Sequence, residues 1–146
     1  MGPPGERVNP QVATVEAPAG SNLAAYGLAA LLGFAGVAHF ANPGFFDEIV
    51  PRSLPGTART WTYVSGLAEL ACAVTVARRP TRRAGALAAA ALFVAVFPAN
   101  VQMAFDWRHR PAIEQAAAYG RLPLQIPLVV WALRVRRGAT RTTDRS

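Results

Sequence analysis

Apolar residues in this chain gather into four long blocks separated by short polar stretches. The first runs from Leu23 to Ala41 (LAAYGLAALLGFAGVAHFA), and at about 1.5 Å per residue it matches the ~30 Å of a bilayer's hydrocarbon core. Ala25, Ala29 and Gly33 recur at every fourth position, a small-residue face that permits close helix approach. The second block, Trp61–Ala77, opens with Trp61 and Tyr63, placed as interfacial aromatics. Thr62, Ser65, Gly66, Glu69, Cys72 and Ala73 share one side of it. The third, Ala84–Ala104, is interrupted only by Pro98 and Asn100. Pro98 cannot donate to the carbonyl of Val94, so a kink is expected there, with Asn100 as a partner for freed carbonyls. The fourth block, Leu122–Val135, is short; a start drawn back to Arg121 and an even number of spans favour a crossing.

These periods predict an all-α protein, a four-helix transmembrane bundle over residues 21–137 with spans near 23–41, 61–77, 84–104 and 121–135. Residues 1–20 are rich in Pro, Gly and polar groups and read as a disordered tail. They do not read as a signal peptide, because the apolar stretch that follows is too long for an h-region and no small-residue cleavage site succeeds it. Residues 138–146 read as a basic C-terminal tail. The connection 42–60 carries Phe45, Phe46, Ile49, Val50 and Leu54 among three prolines, so it should lie at the interface or fold back onto the helices. Residues 105–120 are polar and read as a connection.

Composition sharpens this picture. Hydrophobic residues make up 52% of the chain and charged ones 16%, below the roughly 25% usual in soluble proteins. The 15 basic residues are all arginine and outnumber the 8 acidic ones, for a net charge of +7. That excess could suggest a nucleic-acid partner, but the arginines flank apolar blocks and form no stripe with exposed aromatics, which argues against one. With both termini cytoplasmic, Arg7, Arg78, Arg79, Arg82, Arg83, Arg134, Arg136, Arg137, Arg141 and Arg145 fall inside, and Arg52, Arg59, Arg108, Arg110 and Arg121 outside. That distribution obeys the positive-inside rule, and the reverse orientation violates it. A single cysteine, Cys72, excludes an internal disulfide or a thiolate cage. His39 and His109 with scattered carboxylates have no metal-ligand spacing.

Ionisable groups within spans are costly and need a reason. His39, Glu69, Asn100, Arg121 and Gln125 all fall in the outer half, while the inner half is almost purely Ala, Val and Leu. This asymmetry points to a polar pocket open to the outer face, with Glu69 as proton or hydrogen-bond acceptor, His39 as its partner and Arg121 as counter-charge. Thr62, Ser65, Cys72 and Pro98 would line it more distantly. The competing reading is that these groups only hydrogen-bond the helices together. No set of catalytic residues is evident. Gln102 is expected to face the headgroups and Cys72 to behave as a small apolar residue.

Several segments together resemble the DoxX-like family of small membrane proteins: GVAHFANPGFFDEIVPRSLP, VSGLAELACAV, ARRPTRRAGALAAAALFVAVFPANVQMA and RLPLQ…W, over roughly residues 27–135. The resemblance matches His39 in the first helix, Asn42–Pro43 and Pro51 in the loop, Glu69 in the second helix, Phe97–Asn100 in the third and Arg121–Gln125 in the fourth. It implies a four-helix bundle in the cell membrane. Members of that family act as a subunit associated with a quinone-linked oxidoreductase, in redox-stress complexes, or as assembly factors for other membrane proteins.

Two functions follow as expectations. One is an accessory or assembly protein, not an enzyme, whose partners are the lipid bilayer and another membrane protein. The other is a membrane subunit of a redox system in which Glu69 and His39 relay protons to a quinone. The chain has no haem, flavin or iron–sulfur ligand set, so its own residues imply no cofactor and electrons would have to come from an oxidoreductase subunit.

Overall fold

The computed structural model describes residues 19–143, with side chains over 22–139. The described residues are helical and contain no strand. α1 spans Ala19–Ala41, α2 Pro43–Asp47, α3 Ala58–Ala77, α4 Arg82–Ala95, α5 Phe97–Asp106 and α6 Ala112–Thr143. Residues 1–18 of the expected N-terminal tail and 144–146 of the C-terminal one lie outside the described residues. Residues 19–20 begin α1, and 138–143 continue α6.

α1 packs along α3, α3 along α4, and α4 along α6, which returns to touch α1, so the long helices form a closed ring of neighbours. The α1–α3 contact is intimate because Gly36 and Gly66 meet. A methyl group at Gly36 would come within 2.9 Å of the Gly66 carbonyl oxygen, and one at Gly66 within 2.7 Å of His39 Cβ. The small-residue face read from the sequence also points inward. Ala25 is fully buried, but Gly33 makes only an ordinary contact with Ala73, and the closest approach lies one turn beyond it.

Two corrections concern helix limits. The third block is two helices: Val96 separates α4 from α5, two residues before Pro98, which sits in the first turn of α5. The fourth block is part of a 32-residue helix that begins at Ala112 and carries Pro123 and Pro127 within it. Residues 112–120, expected to be a connection, therefore belong to α6. The apolar connection after α1 folds back, as its composition predicts. Its Ile49 is buried with Met103, Ala104, Trp107 and Ala118.

At the end where α3 turns into α4, Arg82 is buried. The last four carbonyls of a helix have no partner within it. Here the Arg78 amide takes that of Val74, the Thr81 hydroxyl that of Thr75, and the Arg82 guanidinium those of Val76 and Ala77. Arg82 also donates to Asn22 Oδ1 at 2.8 Å and lies over the Tyr26 ring, which ties α1 to the turn. The sequence places Arg82 with the other arginines of the expected cytoplasmic turn and does not show that it turns inward. Above Arg82 lies the main core, Leu28, Leu32, Val76, Ala86, Ala89, Phe93 and Ala132 among others.

Two stretches, Asn22–Ala41 and Arg82–Asp106, are long and apolar enough to cross a membrane. Of the residues between Leu23 and Ala41, every exposed one is apolar or tyrosine, and the same holds for 61–77, 84–105 and 122–133. Leu23, Phe34, Leu67, Phe105, Ile113 and Ile126 are 64–79% exposed.

Candidate functional site

The polar side chains gather at the opposite end, around α2, in two clusters that do not merge. In the first, His39 on the last turn of α1 meets Glu69 at the middle of α3, with Nδ1 3.0 Å from Oε2. The same nitrogen lies 2.8 Å from the Ala35 carbonyl one turn back. A lone pair on Nδ1 would face two oxygens, so this nitrogen carries a proton. One N–H cannot serve both acceptors well. It is directed at the carbonyl, and Glu69 Oε2 is left buried, within ion-pair distance of the ring, and without a hydrogen bond. Such an oxygen costs about 1–3 kcal/mol, more when charged, unless a donor is supplied.

The second cluster answers the break at Val96. The amide of Gln125 on α6 donates to the carbonyl of Phe93, and its Oε1 accepts from Asn100 Nδ2 at 3.1 Å. Gln125 therefore fills the carbonyl, and Asn100 holds Gln125. The sequence points instead to Asn100 for that task and to Val94 as the freed group.

Arg121 makes no direct ion pair with Glu69, although the two charges interact at longer range. Among the described residues no carboxylate oxygen lies within 4 Å of its guanidinium. It rests 3.9 Å from Met103 Sδ and over the Phe45 ring. Of the more distant candidates, Thr62 is buried and bonded to Asp47, Cys72 belongs to the apolar core, Ser65 is partly buried, and Pro98 is exposed on the outside of α5.

Sequence reasoning missed α2, which covers this layer. Phe46 stacks on His39 with ring centroids 3.7 Å apart, and Phe45 meets Trp107 edge-on. Two tethers hold the strap. Asp47 accepts from Thr62 Oγ1 at 2.7 Å and from Arg59 Nε at 2.9 Å, and Glu48 accepts from Arg110 at 2.8 Å. Arg110 also pairs with Glu114 at the start of α6. The apolar loop and FF pair hinted at such a strap, but its tethers join residues 12 to 62 positions apart.

The Thr62 hydroxyl, and then Arg59, hold the Asp47 carboxyl below its ordinary value of 3.8. A depressed carboxyl stabilises the fold above its unfolded pKa and loses that contribution as pH falls through the folded one. Arg110 is pushed up by its carboxylate partners and stays charged throughout. The strap should therefore stay fixed from neutral pH to about 5 and loosen only below 3.8. A spin label on Gly44→Cys, in a Cys72→Ala background, would report this: mobility flat until that point in the wild-type strap, and raised but independent of pH across the same range after Asp47→Asn. A label that loosened near pH 6 would contradict the assignment.

Residues 28–136 match the family model described as domain of unknown function DUF8561, and the chain belongs to that family. No curated protein and no solved structure matches it.

Proposed function

We propose that this DUF8561 member is a multi-pass protein of the cell membrane, a four-helix transmembrane bundle with cytoplasmic termini, acting as an accessory or assembly factor. The spans are α1, α3, the broken α4–α5 rod and the central part of α6. Support for the membrane comes from the inverted surface: only 33% and 28% of the two candidate windows are buried, whereas a core helix of a water-soluble domain is mostly buried. In lipid those outward side chains need no cover, whereas His39, Glu69, Asn100 and Gln125 must turn inward to find partners. The arginine-rich turn 78–83 then faces the cytoplasm and α2 the outer surface.

The observation that carries the function is the unsatisfied Glu69 oxygen beside His39, whose ring Phe46 covers. A buried carboxylate oxygen without a donor is costly, which favours a group that completes it. This one awaits a donor from outside the chain, supplied by a partner helix or a ligand. The DoxX-like resemblance is consistent with that role and extends to the redox-subunit alternative, in which the donor group belongs to a reduced quinone.

Glu69→Gln in the protein purified from its own membrane decides between them. For an assembly factor the partner that co-purifies with wild type should fall by about ten-fold, the value of one lost hydrogen bond to a charged group. Helical content should hold, and a short-chain quinone should not bind either form. Saturable quinone binding by wild type, lost in the variant, would favour the redox subunit. A variant that kept its partner in full would sink the role given to Glu69.

A further inference from the structure

Beside the strap lies a second, separate feature, a cleft of about 460 Å³ between the 47–58 loop, the start of α3 and the end of α5. Its walls include Asp47, Glu48, Arg52, Trp61, Asp106 and Arg110. Most of these charges are spent. Asp47 is held by Arg59 and Thr62, while Glu48 and Arg110 hold each other. Two are not. Arg52 has no hydrogen-bonding or ionic partner among the described residues, and Asp106 has only a 3.4 Å contact from Gln102, with no cation within 4 Å. The cleft thus offers one uncommitted cation and one uncommitted carboxylate. Its aromatic wall is fixed: the Trp61 indole donates to the Pro55 carbonyl, and Trp107 is buried beneath Arg110.

We infer that this cleft is a binding site for the headgroup of an aminophospholipid, with the phosphate on Arg52 and the primary ammonium on Asp106. A guanidinium matches phosphate oxygens in a fork, and a carboxylate takes an ammonium through short charge-assisted bonds. The cleft's volume falls in the range of small-ligand sites. Position favours the lipid over a free zwitterion of the same chemistry. Gln102 and Asp106 turn one face of α5 to the cleft, while Val101 and Phe105 beside them are exposed and apolar, 45% and 65%, offering a surface for acyl chains. Gln102, expected to face headgroups, lines the site. The inference rests on the membrane reading but not on the role of Glu69.

Wild type, Arg52→Gln and Asp106→Asn, purified in a neutral detergent, would be titrated with short-chain phosphatidylethanolamine, phosphatidylcholine, phosphatidylglycerol and soluble glycerophosphoethanolamine. Tryptophan emission, dominated at this end by Trp61 and Trp107, would be followed. Both altered side chains are exposed, so the fold should hold; circular dichroism checks this, with Arg83→Gln as a remote control. Wild type should bind phosphatidylethanolamine saturably and at least about five-fold more tightly than the other lipids. Asp106→Asn should erase the preference for the primary ammonium, and Arg52→Gln should weaken both zwitterionic lipids. Equal binding of all lipids, or a preference that survives Asp106→Asn, would overturn the site. Equally tight glycerophosphoethanolamine would overturn the lipid as its occupant.

Discussion

Replacing Gly66 by alanine is expected to destabilise the protein by about 1–3 kcal/mol, the usual cost of forcing a methyl into a packed contact. The added carbon would sit 2.7 Å from His39 Cβ, 2.9 Å from Phe40 Cε2 and 3.1 Å from the Gly36 carbonyl oxygen. Phe40 can swing away, since it is 45% exposed. The His39 Cβ and the Gly36 carbonyl sit on the rigid backbone of α1, so α1 and α3 must separate. That separation also pulls the imidazole from Glu69, so one substitution should lower both thermal stability and partner retention. Gly120 supplies the contrast. Nothing lies within 4 Å of a methyl there, and it is inside α6, so Gly120→Ala should stabilise by about 0.5–1 kcal/mol through helix propensity alone. Melting both variants in detergent tests the sign of each effect. A Gly66→Ala protein as stable as wild type would mean that the helices do not cross so closely.

The second large effect is expected at Arg82. Its guanidinium caps α3 through the carbonyls of Val76 and Ala77 and reaches α1 through Asn22. Arg82→Gln cannot span all three. Hydrogen bonds to a charged group contribute about 1.5–3 kcal/mol each but not additively, so a loss of about 3 kcal/mol is expected, a fall of roughly 10 °C in melting temperature. Lysine should rescue little, because its single ammonium lacks the planar fork that addresses three acceptors. Arg83→Gln, one residue along and exposed, should stay within about 0.5 kcal/mol of wild type. Equal losses at the two positions would show that net charge at the turn matters rather than the cap.

The two sites differ in how far they could be read beforehand. Gly66 stands among small and polar residues on one side of its block, so its inward direction followed from periodicity. Its clash partner did not, since Ala25, Ala29 and Gly33 advertise an equally good face nearer the other end. Arg82 is one of four arginines in ARRPTRR, and composition alone cannot say which of them turns in. Burial depends on where α1 begins and on which carbonyls α3 leaves open, and both are decided by packing.

The chain by itself determined that these are helices, which side chains are apolar, and that His39 and Glu69 would share one layer. Those properties come from local periods and from the cost of a charge in an apolar block, and they need no partner to be visible. The His39–Glu69 pairing was legible too, but only the tertiary structure decided the finer contacts: Arg121 against Met103 and the Phe45 ring, and Gln125 rather than Asn100 on the carbonyl freed near Pro98. It also decided that Pro123 and Pro127 lie within a continuous α6, and that α2 closes the polar layer through tethers to Arg59 and Arg110. Hydrogen bonds act over about 3 Å between residues tens of positions apart, so their pairing is a property of the folded arrangement and not of the spacing along the chain.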